Sequence, residues 1–451
     1  MVDDRLKRLK TGAFERRFSI AKASFVAGSR MAASAAGSFF SAPENRATAR
    51  RQALAEQAEY LVGELGQLKG SVVKIGQMMA LYGEHFLPDE ITSALHKLND
   101  STASLQWATL EPIVREQLGD RFDDLIINPE PLGAASLAQV HRAKRRSDSA
   151  EMVLKIQYPG VADAIDSDLN LVTSMLKLTR AVPQTREFED WLDEVRMMMH
   201  REVDYPLEAK TTQLFGDYLK DDPRFIVPKI YPEYCGDKLI VMSFETGVPV
   251  NSSTVMALPQ ARRDAISLAA LEVCCREVFV WGQLQTDPNF GNYLVKLSDD
   301  GEHDQIVLLD FGAVRDFPDE LLSLARNLTR ACFDRDRDAM TAAMTGFRFL
   351  DNLQPNVREG FLDLALLAFE PFAANEFVPA EILNADGHYC WAKSMLHKRA
   401  ATQAARSAAS RHFSVPPKEF MFLSRKLMGA YTFMTVMNAQ LDGRSLLAKY
   451  L

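Results

Sequence analysis

Apolar residues recur every three or four positions from about residue 46 to 103, with no strand-like alternation, so this stretch predicts helices. Residues 110–126 continue as a short helix and a polar stretch. Near Pro131 the period changes to two: ASLAQVHRAK and EMVLKIQY, on either side of the polar turn RRSDSA, predict a pair of strands. Residues 161–220 return to the helical period, and RFIVPKIYPEY and DKLIVMSFE predict two further strands. Beyond Pro259 helical patterns dominate, interrupted by YLVKL and QIVLL around SDDGEHD, which predict a second hairpin. Strands first and helices afterwards predict an α+β, two-part fold preceded by a helical region.

Composition narrows the picture. A chain of 451 residues holds one large two-part domain with an extension, or two to three smaller domains. Hydrophobic and charged fractions of 47 % and 25 % are ordinary for a globular protein. A net charge of -8 argues against nucleic acid as a main partner, which requires a basic face. Cys235, Cys274, Cys275, Cys332 and Cys390 form no CxxC and no cluster with histidine, so neither zinc nor a disulfide framework is expected and a reducing, cytoplasmic setting is. The uncharged run 427–441 falls short of the roughly 18 residues a membrane span needs, and predicts a buried helix. No transmembrane helix is expected. Residues 16–41 lack acids and carry Arg16, Arg17, Lys22 and Arg30. Two readings stay open for them, a segment lying on an anionic membrane and a helix packed on the body; Asp3 and Asp4 weigh against a transit peptide.

The chemistry concentrates around the second hairpin. Within QTDPNFGN at 285–292, Asp287 and Asn292 stand five positions apart, the spacing at which a kinase catalytic loop places its aspartate and its metal-binding amide. Asp310-Phe311-Gly312, just past the hairpin, supplies a second metal carboxylate. Alone, Asp287 to Asn292 reads as a solvated loop and Asp310-Phe311-Gly312 as a strand end and turn; their order, separation and intervening hairpin outweigh those readings. Asn292 and Asp310 would hold Mg2+, which bridges nucleotide phosphates. Lys155, 22 residues after Gly133 on an apolar strand, matches the lysine that grips phosphate. Glu208 is its candidate partner, and Pro206 forces a bend or a helix start between it and Glu202. Met242 falls where a kinase hinge meets adenine. In place of a glycine-rich loop the chain has Pro131-Leu132-Gly133-Ala134-Ala135-Ser136, with one glycine to fold over phosphates. Gln285-Thr286 stands in place of His-Arg, and no A-P-E follows.

This combination resembles the UbiB (AarF) family of atypical kinase-like proteins, in the branch linked to coenzyme Q biosynthesis. The resemblance rests on QTDPN, on the KxGQ motif as Lys74, Gly76 and Gln77, on the acidic pair Glu202 and Asp204, and on Ala134, Ala135 and Ser136 beside Gly133, where the family commonly has alanine. It covers roughly residues 55–340, and RKLMGAY near the C-terminus is similar too. It implies a two-lobed protein kinase-like fold with an added N-terminal helical KxGQ region, divided as 1–45, 46–128, 129–245 and 246–451. It implies ATP and Mg2+ as cofactors, with Asp287 as catalytic-loop aspartate, Asn292 and Asp310 as metal ligands, and Lys155 with Glu208 as phosphate clamp. It also implies that the KxGQ helix covers the place where a kinase accepts protein, with Lys74 reaching toward the acidic pair. ATP hydrolysis or a small, lipid-like substrate is then favoured, in support of ubiquinone synthesis from the cytoplasmic face of the inner membrane, with a quinone precursor and other biosynthetic proteins as partners. From the residues themselves, KIGQ is a helix with two costly glycines, Gly70 and Gly76, for which tight packing is the plain reading. A nucleotide-sensing, lipid-presenting protein with little turnover shares every motif. A conventional protein kinase is disfavoured by the missing activation segment.

Overall fold

The computed structural model describes residues 70–83, 87–98, 104–178, 182, 185–287, 289–345, 355–408 and 418–451, with scattered positions between 52 and 66. The expected membrane segment, 1–45, lies outside the described residues. The chain divides into two compact units, Met1–Gln213 with Lys229–Phe244, and Leu214–Pro228 with Glu245–Leu451.

The first unit is built from α1 (Ser71–Tyr82), α2 (Asp89–Leu95), α3 (Trp107–Leu118), α4 (Val161–Leu178), α5 (Arg186–Glu202), the first half of α6 (Tyr205–Leu219) and one antiparallel sheet. Gly70 precedes α1 at φ 64°, in the left-handed region that glycine visits freely, so it starts the helix and is not one of two interior glycines as the sequence suggested. Val72, Val73, Ile75 and Met79 of α1 are buried, and Ser71 donates its hydroxyl to Asp168 in the apolar stripe of α4. Thr185 caps α5 by accepting from the Phe188 N–H at 3.4 Å. Phe188, Trp191, Leu192, Val195 and Met199 then recur at helical spacing along its buried face.

The strands β1 (Leu125–Ala134), β2 (Ala138–Arg145) and β3 (Glu151–Gln157) follow α3; β4 (Phe225–Ile226) and β5 (Leu239–Ser243) follow α6. The sheet order is β1-β2-β3-β5, which places Lys155 between Val140 and Ile240. The start of β1 lies at the end of 110–126, where a polar stretch is expected. Pro129 and Pro131 lack N–H donors, but β1 is an edge strand whose register shifts on both sides of Pro131 absorb the gaps. RFIVPKIYPEY also departs from the strand expected there. Only Phe225–Ile226 forms a strand there, and it does not join this sheet, because Pro228 and Pro232 interrupt the ladder and leave a single bridge from Ile230 to Met242.

In the second unit, α7 (Gln260–Arg276) runs into a π-helical turn, Glu277–Trp281, followed by α8 (Asp319–Asp334) and α9 (Lys418–Val436). With β6 (Val248–Pro249), β7 (Gln283–Gln285), β8 (Tyr293–Lys296), β9 (Gln305–Leu308) and β10 (Val314–Asp316), the pairings are β4-β9-β8-β6 and β7-β10. The predicted hairpin is β8–β9. Arg224 fixes β4 to α7 by pairing with Asp222 and Glu272, each at 2.7 Å. Ile266, Leu271, Val295, Ile306, Tyr431 and Met434 share one buried cluster. The uncharged run 427–441 contributes the C-terminal half of α9 to it. Among the described residues no helix is long and apolar enough to cross a membrane.

Candidate functional site

In the first unit, Lys155 Nζ lies 2.5 Å from Glu208 Oε1, with Glu208 only 3 % exposed. The ammonium also sits 5.5 Å from the centre of the Tyr205 ring. Glu208 and Tyr205 both come from the first turn of α6. That turn exists because Pro206, harmless where no helical N–H is required, follows Asp204, whose Oδ1 accepts from the Leu207 N–H at 3.0 Å. The break expected at Pro206 is therefore a helix start. Glu202, at the end of α5, receives Lys74 of α1 at 2.5 Å. Thus the acidic pair divides its work between an ion pair and a cap.

The other predicted positions of this unit are more dispersed. Gly76 faces Leu98: a Cβ on it would stand 2.3 Å from Leu98 Cδ1, so the expected tight packing is present. Gln77 donates to the Leu98 carbonyl at 3.3 Å. Gly133 and Ala134 end β1, with open space where a Gly133 Cβ would point. The Ala135 N–H returns to the Ala138 carbonyl at 2.8 Å, and Ser136 is buried in that turn. Met242 is buried in β5, in the cluster containing Tyr205, Ala209 and Ile240.

The second unit gathers Asp287, Asn292 and Asp310. β7 pairs with β10, and Thr286 adds two bonds to the Ala313 carbonyl, from its N–H at 3.2 Å and its hydroxyl at 2.8 Å. The loop of Asp287 is thereby laid against the segment carrying Asp310. Asn292 Nδ2 donates to Asp287 Oδ2 at 3.1 Å, leaving the amide oxygen outside that bond. Asp310 Oδ1 accepts from the Gly312 N–H at 2.8 Å. Phe311 is buried, 4.7 Å centre to centre from Phe215.

Sequence reasoning missed what fastens these parts. The buried Gln285 side chain accepts from the Asp287 N–H at 3.1 Å and donates to the Asp310 carbonyl at 2.6 Å, bridging the two loops. Beneath it, Glu277 Oε2 accepts from the Gln285 N–H at 3.2 Å and meets Lys426 Nζ at 2.5 Å. Burial pushes the Glu277 carboxyl above its ordinary range, while the Lys426 ammonium pulls it back. Burial is the largest influence on Lys426 and opposes its charge, but Glu277, with Tyr293 and Cys274, holds the ammonium above the usual lysine range. The signal for this pair was a lysine, next to Arg425, bordering the uncharged run 427–441 and a lone glutamate inside VCCREVFVW. A cavity of about 60 Å³ lies among Asp287, Asn292, Asp310, Glu277 and Lys426. Cys274 also lines it, with burial pushing its thiol up to about 11, so no reactive thiolate is present there.

Residues 97–344 match the ABC1 atypical kinase-like domain, more than half of the chain. The chain belongs to this family. The ABC1 match spans Lys155, Glu208, Asp287, Asn292 and Asp310, and leaves Lys74 and Lys426 outside. Among relatives, the chain is 30 % identical over 393 residues to the mitochondrial atypical kinase COQ8B of Rattus norvegicus, covering 86 % of this chain and 71 % of that protein. It is 31 % identical over 361 residues to the mitochondrial atypical kinase COQ8 of Saccharomyces cerevisiae, covering 77 % and 69 %. Among solved structures, Rv3197 of Mycobacterium tuberculosis, determined with erythromycin, superposes with a TM-score of 0.58 at 24 % identity, covering 86 % of this chain and 93 % of that one. The ABC1 chain is accordingly an atypical kinase of the UbiB type with an α+β, two-lobed kinase-like fold.

Proposed function

We propose that this ABC1 protein binds ATP with Mg2+ and couples phosphoryl transfer or ATP hydrolysis to the handling of a lipid-like precursor in ubiquinone synthesis. The observation that carries the reading is the cluster in which Gln285 ties the Asp287–Asn292 loop to Asp310. Asp287, Asn292 and Asp310 offer a cation oxygen donors, the set a small hard ion prefers. Among the described residues no three His, Cys, Asp or Glu form a cage, which suits an ion that takes its remaining ligands from phosphates and water. Asn292 and Asp310 would hold Mg2+, which neutralises phosphate charge when bound. Asp287 orients the attacking group, and Lys155, kept in place by Glu208, supplies positive charge to phosphate. Gly133, Ala134, Ala135, Ser136 and Met242 are assigned to the nucleotide.

The helical region 46–128 contributes Lys74, Gly76 and Gln77. Its ion pair to Glu202 supports a substrate region closed to protein acceptors, with Asp204 beside it holding α6. Residues 129–245 and 246–451 are assigned as the kinase-like lobes. The place of action is the cytoplasmic face of the inner membrane, with residues 1–45 in contact with anionic lipid.

The test is ADP release from Mg-ATP by the purified protein, with and without anionic liposomes, beside Asp310→Asn. Turnover that rises with liposomes and vanishes in the variant is the expected result. Turnover no higher than the variant's in both conditions would instead favour a nucleotide-dependent lipid-binding protein.

A further inference from the structure

We propose that Glu277 and Lys426 are positioning residues for the metal and nucleotide site: their buried ion pair, acting through Gln285, sets the placement of Asp287 relative to Asp310. The proposal rests on the assignment of Asp310 and Asn292 to Mg2+. Its geometry is a short chain of contacts. Lys426 Nζ meets Glu277 Oε2 at 2.5 Å, the same oxygen accepts from the Gln285 N–H at 3.2 Å, and the Gln285 side chain holds the Asp287 N–H and the Asp310 carbonyl. Lys426 and Glu277 are 11 % and 3 % exposed, so neither faces bulk solvent.

An ion pair is a poor way to fill a protein interior, since an apolar pair of equal volume often does as well or better. An apolar pair has no acceptor for Gln285, and that is the feature this site requires. Glu277 is also the first residue of the π-helical turn that ends α7. A π turn shifts the following residues relative to the helix and recurs at functional sites. Here it falls directly before the strand that leads into Asp287. Lys426 arrives from α9, outside the region of the family match, so the C-terminal helix contributes directly to the geometry of the loop.

The experiment measures Mn2+ binding to the full-length protein by electron paramagnetic resonance with ADP present, alongside metal-free ADP binding and thermal melting. In Glu277→Leu/Lys426→Met the interior is filled but the acceptor is gone. This variant is expected to melt no lower than the parent and to bind Mn2+ roughly 10-fold more weakly, the usual scale for a supporting contact, with metal-free ADP binding unchanged. Glu277→Gln/Lys426→Met keeps an amide oxygen for the Gln285 N–H and is expected to recover most of the loss. Parent-like Mn2+ affinity in the Leu/Met variant, or equal weakening in both, would overturn the proposal. If the Leu/Met protein does not fold, Glu277→Asp keeps the charge, withdraws the acceptor and carries the same expectation. Asp310→Ala serves as control: Mn2+ binding unaffected by it would refute the assignment of the metal site and not the coupling through Gln285.

Discussion

Glu208 is a nearly inaccessible carboxylate whose charge is matched by Lys155 at 2.5 Å. Lys155→Met should therefore cost stability as well as nucleotide binding, about 3 kcal/mol in urea denaturation, and adding Glu208→Gln should return most of it. If Lys155→Met denatures like the parent, the ion pair makes no contribution to the fold. Gly133 presents the opposite case: no atom occupies the space of a Cβ, and its φ lies outside the left-handed range. Gly133→Ala should raise stability by about 0.5 kcal/mol through the unfolded chain, and a lower denaturation midpoint would contradict it. Asp287, Asn292 and Asp310 were legible because their spacing is fixed by local loop chemistry. Gln285 was visible as part of QTDPN and as a departure from His-Arg, but its bridging role was not, since its donor and acceptor partners lie on different loops.

Among the elements, α1 depends on one close approach. A methyl on Gly76 meets Leu98 Cδ1 at 2.3 Å, and Leu98 is buried, so Gly76→Ala should destabilise by about 1–2 kcal/mol despite the better helix propensity of alanine. Leu98→Ala in the same chain should relieve the clash, so thermal melting of the double variant should show less than the sum of the single losses. The attachment of β4 to α7 adds an ion pair to apolar packing, Arg224 to Glu272 beside Phe225 in the shared core. Arg224 beside Asp222 holds its carboxyl down, at about 2. A carboxyl depressed in the folded state stabilises fully above its unfolded value and loses that contribution as pH falls through the folded one. Asp222→Asn should accordingly be less stable than the parent by about 1–2 kcal/mol at pH 7, with the gap closing between about pH 4 and 2 in denaturant titrations. Element types were readable from periodicity in α4, α5, β2, β3 and the β8–β9 hairpin. β1 and the segment around Pro228 were not, because edge position and bulges decide whether prolines are tolerated.

For the molecule as a whole, the site assignments predict that stability is linked to nucleotide and cation together. ADP at a hundredfold its dissociation constant with Mg2+ should add about 2.7 kcal/mol to the unfolding free energy, and chelation by EDTA should remove most of it. An equal shift with and without chelator would leave no role for a cation in binding. The expected membrane segment makes a separate prediction: removing residues 1–45 should reduce flotation with anionic liposomes, and equal recovery would exclude that role.

Periodicity and short-range spacing were enough to specify the α+β class, the hairpin between the Asp287–Asn292 loop and Asp310, and a strand carrying Lys155, while the motifs carried the family resemblance, since each depends on residues close together in the chain. Glu208 was the expected partner of Lys155, and the resemblance directed Lys74 toward Glu202 and Asp204; that Lys74 takes Glu202, and that Lys426 takes Glu277, was decided by tertiary structure. Lys74 finds Glu202 across 128 positions and Lys155 finds Glu208 across 53, while Lys426 reaches a glutamate on a helix it does not adjoin in sequence. The Lys426–Glu277 pairing is selected by burial, because a charge removed from water must end beside its partner, and the sequence carries no local mark of where that partner will be.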